Sequence, residues 1–302
     1  MSNFERIRSA LTPCHWRFKV TCRLGETERN DLIGSRKGAD RMDVSKYKVI
    51  ILAGGFGTRL AEETTVRPKP MVEVGGHPIL WHIMKIYSHY GLRNFLIALG
   101  YKGEAIKDYF LNYCALNSDI MIDLAKGNVT LMNGAAEPWN VTLVDTGMGT
   151  QTGGRILRLR KYVEGDPFFF ATYGDGVANI DIRRQIEEYR AAGCPCMLTA
   201  VRPPSRFGAL ELEHGKVKSF TEKPQAGEGW INGGFFIFSN RLFDFLKDDE
   251  TILEREPLES LAAGEELSAY MHEGFWHPMD TMRDVKRLNE LWEKGEAPWK
   301  VW

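Results

Sequence analysis

No stretch of this 302-residue chain supplies the roughly 20 consecutive apolar residues that a membrane-spanning helix needs, so none reads as a transmembrane segment. An excess of one charge is also absent: 39 Lys and Arg oppose 40 Asp and Glu, for a formal net charge of -1. No global basic field is left to attract nucleic acid or an anionic membrane. An anionic ligand therefore needs a local constellation to hold it. Cysteine is sparse, and the five residues (Cys14, Cys22, Cys114, Cys194, Cys196) lack paired zinc spacings. Cys194-Pro195-Cys196 is one residue short of a redox or metal knuckle, so the pattern reads as reduced thiols of a cytoplasmic protein. The seven histidines form no His-Glu-x-x-His array, which leaves them surface or core roles.

What is present is the balance of an ordinary globular chain, with 43% hydrophobic and 26% charged residues. The length suits one large α/β domain or two modest ones. Residues 1–44 stand apart, because they are Arg-rich, interrupted by acids and without a sustained apolar period. They lack the apolar core of a secretory signal and read as a disordered leader or an upstream start. The folded domain is expected over 45–302.

From Tyr47 onward, apolar runs alternate with amphipathic stretches. Lys48–Ala53, Asn94–Leu99, Val141–Val144, Phe168–Thr172, Met197–Val201, Ala209–Leu212 and Trp230–Phe238 read as strands. Helices are predicted after Pro78 with Gly91 as the stop, over Glu104–Cys114, after an Asp181 cap with Gly193 beyond, and over Arg283–Trp292. This alternation predicts an α/β fold with a doubly wound, mainly parallel central sheet and small additional β elements. Ligands in such sheets sit beyond the carboxyl ends of strands, here after Ala53 and Thr172.

The segment after the first strand, Gly54-Gly55-Phe56-Gly57-Thr58-Arg59-Leu60, fits neither common phosphate fingerprint. A dinucleotide loop needs glycine where Leu60 stands, and a Walker loop needs Gly-Lys where Arg59-Leu60 stands. A flexible turn remains, whose backbone N–H groups can converge on an anion. Thr58 adds a hydroxyl and Arg59 a forked cation. Ten residues on, Arg67-Pro68-Lys69-Pro70 places Lys69 between two prolines, on what is expected to be a stiff extended segment.

Leu52-Ala53-Gly54-Gly55-Phe56-Gly57-Thr58-Arg59-Leu60, followed by Arg67-Pro68-Lys69-Pro70-Met71, resembles the signature of the sugar-1-phosphate nucleotidyltransferases. The resemblance implies a Rossmann-like fold and attack of a sugar phosphate on the α-phosphate of a nucleoside triphosphate. Ala61–Thr65 replaces the Leu-x-Pro-x-Thr of many relatives. That departure and Glu137–Gly147 point within the family to members that join CTP to glucose 1-phosphate. It implies CDP-glucose and pyrophosphate as products, a role in deoxysugar and cell-surface polysaccharide precursor synthesis, and a homo-oligomer. Read without the resemblance, the residues leave the base open among CTP, dTTP, UTP and ATP. They also leave open a nucleotide-binding regulatory module without turnover.

Transfer between two anions calls for cations, and for carboxylates that hold Mg²⁺. Asp175, in Tyr173-Gly174-Asp175-Gly176, is the first such carboxylate. Asp280, in Trp276-His277-Pro278-Met279-Asp280, is by sequence alone a candidate helix cap; the family pattern implies that it joins Asp175 at the metal. The implied catalytic set is Arg59, Lys69, Asp175 and Asp280. The implied nucleotide contacts are Leu52 to Arg59, Lys69, Thr150, Arg155 and Gly174. At the sugar phosphate the resemblance places Gly208, Glu222, Lys223, Asn232 and Gly233. Trp139, Phe275 and Trp276 are pocket walls or core.

Overall fold

A computed structural model describes residues 21–22, 43–134, 136–203, 209–213, 216–221 and 229–302. Most of the 1–44 leader therefore lies outside the described residues, as do Gly208, Glu222 and Lys223. The chain divides into two compact units, Met1–Ala39 with Asp108–Glu137 and Asp40–Lys107 with Pro138–Trp302. In the first, Asp119–Asp123 and Asn128–Met132 form an antiparallel pair, and Thr21–Cys22 lies parallel to Thr130 and Leu131.

The second unit is built on a seven-stranded sheet. Its strands are β1 (Lys48–Ala53), β2 (Asn94–Leu99), β3 (Asn140–Asp145), β4 (Phe169–Tyr173), β5 (Cys196–Val201), β6 (Ile231–Phe238) and β7 (Leu267–His272). The order across the sheet is β7-β5-β6-β4-β1-β2-β3. All neighbours run parallel except at β6, which is antiparallel to both β5 and β4. The doubly wound, mainly parallel expectation holds, with one reversed strand inside it. β1 lies centrally, and Val49 to Ala53 are buried, as a β-branched run covered on both faces must be.

Helices α1 (Ile79–His89), α2 (Gly103–Leu116), α3 (Thr152–Arg158), α4 (Ile182–Ala192), α5 (Glu256–Ala263) and α6 (Met282–Glu293) accompany these strands. Ile79, Ile83 and Ile86 are fully buried, as their spacing predicts. Asp181 caps α4 by accepting from the Arg183 and Arg184 amides, and Gly193 ends it in the left-handed region at φ 66°. One large core cluster gathers Ile50, Leu96, Phe169, Phe236 and Phe238 between sheet and helices. Near the C-terminus, buried Trp299 donates its indole N–H to His82 Nδ1 at 3.3 Å. The opposite nitrogen of that ring, Nε2, donates to the Val74 carbonyl at 2.8 Å. Among the described residues, no helix is long and apolar enough to cross a membrane.

The chain runs from β1 to β2 and β3 on one side, then returns to lay β4 against the other edge of β1. That reversal opens a crevice beyond the strand ends, where Leu52 is in register with Tyr173.

Candidate active site

The turn after β1 is shaped by close approaches. Gly57 has φ 63°, a conformation that glycine adopts at little cost. The Leu60 amide then bonds to its carbonyl at 2.9 Å, opening a short 3-10 turn over Thr58–Leu60. At Gly54 the constraint is steric: a Cβ there would lie 2.2 Å from Arg155 Nη1. Arg155, in α3 and 4% exposed, donates to the carbonyls of Gly54 (3.0 Å), Leu99 (3.0 Å) and Gly147 (2.8 Å), and to Thr146 Oγ1 (2.7 Å). Its guanidinium thus ties the loop to the ends of β2 and β3. Burial, with Arg158 nearby, holds its pKa below the usual arginine value.

Lys69 is not on the extended segment that its flanking prolines predict. Pro68 is extended (φ -67°, ψ 151°), but Lys69–Met71 is a 3-10 turn closed by the Met71 amide on the Pro68 carbonyl at 2.8 Å. Pro70 is tolerated there because an amide in the first turn has no intrahelical partner to lose. The turn buries Lys69 and aims its ammonium at two carboxylates, Asp175 Oδ2 at 2.5 Å and Asp280 Oδ1 at 2.7 Å. Burial opposes the charge on Lys69, but Asp175 and then Asp280 outweigh it, and the pKa is raised. Exposed Arg59 reaches Asp280 Oδ2 at 2.8 Å.

The two aspartates are far apart in sequence and are joined by a small antiparallel pair, Gly176–Ala178 with Trp276–Pro278. The Met279 amide donates to the Asp175 carbonyl at 2.8 Å and fixes the register. Asp280 is not the cap of α6: Thr281 holds that position in a capping box with Asp284. Asp284 Oδ2 also accepts from the Asp280 amide at 3.1 Å, leaving the Asp280 carboxylate directed at Lys69 and Arg59.

Two clefts of about 330 and 320 Å³ meet at this cluster, each within the range of small-molecule pockets. Every residue from Leu52 to Arg59 lines the first, with Lys69, Thr150, Arg155, Gly174 and Asp175. Asn232, Gly233, Trp276 and Asp280 line the second, and Arg59, Tyr173 and Asp175 line both. Trp276 is a wall, its indole N–H donating to the Gly233 carbonyl at 2.8 Å. Trp139 packs edge-on against Phe95, and Phe275 stacks on Trp299.

Tyr173, Thr152 and Glu254 carry no functional signal in the sequence: Tyr173 stands out only by its place beside Asp175, and nothing in the composition around Glu254 marks it.

A sequence profile described as nucleotidyl transferase matches residues 48–295. Glucose-1-phosphate cytidylyltransferase of Salmonella typhi is 53% identical over 255 residues, covering 84% of this chain and 99% of that protein. A probable glucose-1-phosphate cytidylyltransferase of Bacillus subtilis is 45% identical, covering 84% of this chain and 100% of that protein. The structure of HddC from Yersinia pseudotuberculosis complexed with GMP-PN aligns with TM-score 0.60 and 25% identity, over 82% of this chain and 99% of that one. A UDP-glucose pyrophosphorylase complexed with UDP-glucose aligns over the same shares with TM-score 0.60 at 19% identity, a likeness of fold alone. The chain belongs to the nucleotidyl transferase family.

Proposed function

We infer that this chain transfers the cytidylyl group of CTP to α-D-glucose 1-phosphate, giving CDP-glucose and pyrophosphate. The observation that carries the reaction class is the junction of two clefts at Lys69, Asp175, Asp280 and Arg59. Each cleft can take one substrate, and the cationic and anionic groups stand where the two meet. Base and sugar are supported by the 53% and 45% identical relatives, matched over nearly their whole lengths.

In this reading the Leu52–Arg59 turn receives the triphosphate, with Thr150 and Gly174 alongside. Arg155 holds that turn in shape through the Gly54 carbonyl. Lys69 and Arg59 supply positive charge to the phosphate oxygens. Asn232 and Gly233 bound the sugar-phosphate cleft, where Gly208, Glu222 and Lys223 are proposed to join them. A phosphate oxygen of the sugar phosphate forms the new bond to Pα as the bond from Pα to the pyrophosphate oxygen breaks. No side-chain nucleophile is required, because the sugar phosphate is itself the attacking group.

Asp175 and Asp280 are proposed to hold Mg²⁺. The fit is supported by their convergence on a single cationic centre, the Lys69 ammonium. When bound, Mg²⁺ would neutralise phosphate charge and orient the triphosphate for in-line attack.

We also place the start of the catalytic domain near Ser45 and keep a homo-oligomer as part of the proposal. Exposed apolar residues such as Ile122 (58%) and Leu124 (90%) support the latter, and light scattering tests it. The reaction itself is tested by pyrophosphate release with CTP and glucose 1-phosphate together. Release that requires both supports transfer, whereas nucleotide binding without release with any sugar phosphate favours a regulatory module.

A further inference from the structure

Tyr173 lines both clefts, and its hydroxyl is held by a carboxylate that lines neither. Tyr173 Oη donates to Glu254 Oε1 at 2.5 Å. The second oxygen of that carboxylate accepts from Thr152 Oγ1 at 2.7 Å, at the start of α3 in the nucleotide cleft. On the other side, Asn232 Nδ2 donates to Tyr173 Oη at 3.3 Å, and Asn232 Oδ1 accepts from the Gly234 amide at 2.9 Å. Four side chains thus form one chain of hydrogen bonds from the first cleft to the second.

The direction of these bonds follows from chemistry. An ionised carboxylate only accepts, so both hydroxyls must donate to Glu254. The lone pairs of Tyr173 then face Asn232, which must turn its NH₂ toward the tyrosine and its carbonyl toward Gly234. A phenol is protonated at neutral pH, so its hydroxyl is available to donate. The chain from Glu254 and the Gly234 amide thus demand the same orientation of the Asn232 side chain, so an anionic group that does not touch this sugar-cleft amide helps to hold it.

We propose that Glu254 is a positioning residue for the sugar-phosphate substrate, acting through Tyr173 and Asn232; this rests on the transfer reading above. The effect falls mainly on the sugar side. Glu254 reaches the sugar cleft through Tyr173 Oη, which meets Asn232 Nδ2, whereas its bond to Thr152 Oγ1 ends at a hydroxyl that also accepts from the Leu253 amide at 2.9 Å.

The test is steady-state kinetics of Glu254→Gln, Tyr173→Phe and the double variant. Glutamine has one acceptor oxygen where glutamate has two, so one hydroxyl loses its partner. The expected result is a KM for glucose 1-phosphate raised about tenfold, the effect of one charge-assisted hydrogen bond, with the KM for CTP within about twofold of wild type. Tyr173→Phe keeps the ring packed edge-on against Phe236 at 5.7 Å and is expected to show the same selective rise. The double variant is expected to lose no more than either single one, because both remove the same link.

Unchanged KM values in Glu254→Gln, an equal rise for both substrates, or multiplying losses in the double variant would each overturn the proposal. If Glu254→Gln does not fold, Tyr173→Phe decides alone, and a wild-type sugar-phosphate KM in it refutes the link. A wild-type enzyme that releases no pyrophosphate would instead overturn the transfer reading, and this inference with it.

Discussion

Lys69 is the cation on which the two carboxylates of the proposed site converge. Its ammonium is buried and shared between Asp175 and Asp280, so its charge is stabilised before any substrate arrives. A preorganised cation of this kind is worth most where charge accumulates in the transition state, and losing one such group costs about 10²–10³ in kcat. Lys69→Ala is expected to lose that much turnover. Asp175→Asn should lose a comparable factor, since it removes half of the pair that brackets the cation. Single-turnover pyrophosphate release on folded protein checks both, and near-wild-type rates in either would remove that residue from the mechanism. His82 shows the same logic in a structural role. Its Nδ1 accepts from Trp299 and its Nε2 donates to Val74, an arrangement only the neutral ring can satisfy. Burial lowers its pKa to about 4. The unfolded state, titrating near 6.5, therefore binds more protons between those values. Stability is unaffected by His82 above pH 6.5 and falls below it by about 1.4 kcal/mol per pH unit until pH 4. Urea midpoints at pH 7.5 and pH 5 measure this, and equal midpoints would contradict it.

At the scale of elements, the site depends on how turns are braced. Arg155 fills the space beside Gly54, so Gly54→Ala must displace a buried guanidinium from several carbonyls at once. The expected cost is about 2–3 kcal/mol, in the range for broken charged hydrogen bonds. Nothing lies within 4 Å of a Cβ at Gly55, so Gly55→Ala is expected to stay within about 0.5 kcal/mol of wild type. Equal losses in the two variants would show that the brace is not what selects glycine. The strands that frame this loop were legible because burial on both faces demands continuous apolar runs, as in Asn94–Leu99. Leu267–His272 was not, since an edge strand with mixed exposure carries no such run. Trp276–Pro278 is too short to show a period, yet its pairing with Gly176–Ala178 brings Asp280 to Asp175. Asp280 itself reads in the sequence as a cap, whereas Thr281 and Asp284 form the capping box. Lys69 reads in the sequence as a candidate phosphate cation, but the 3-10 turn that buries it against Asp175 and Asp280 is not legible there, because two prolines read locally as extended chain.

For the whole molecule, the parallel sheet with its reversal at β1 and β4 creates one crevice, and two clefts share the charged cluster within it. That arrangement accounts for a reaction between two anionic substrates, and the family match extends over the same region, residues 48–295. The local motifs do not fix the base, because phosphate-binding residues meet the part common to all nucleoside triphosphates. Base choice belongs to the assembled walls of the nucleotide cleft, and its direct measure is kcat/KM for pyrophosphate release from glucose 1-phosphate with CTP, dTTP, UTP and ATP in turn, each with Mg²⁺. CTP is predicted to exceed each of the others by at least about a hundredfold, the discrimination that hydrogen-bonded readout readily exceeds. Equal values, or a preference for another nucleotide, would contradict cytidylyl transfer, and no release with any of the four would contradict transfer itself.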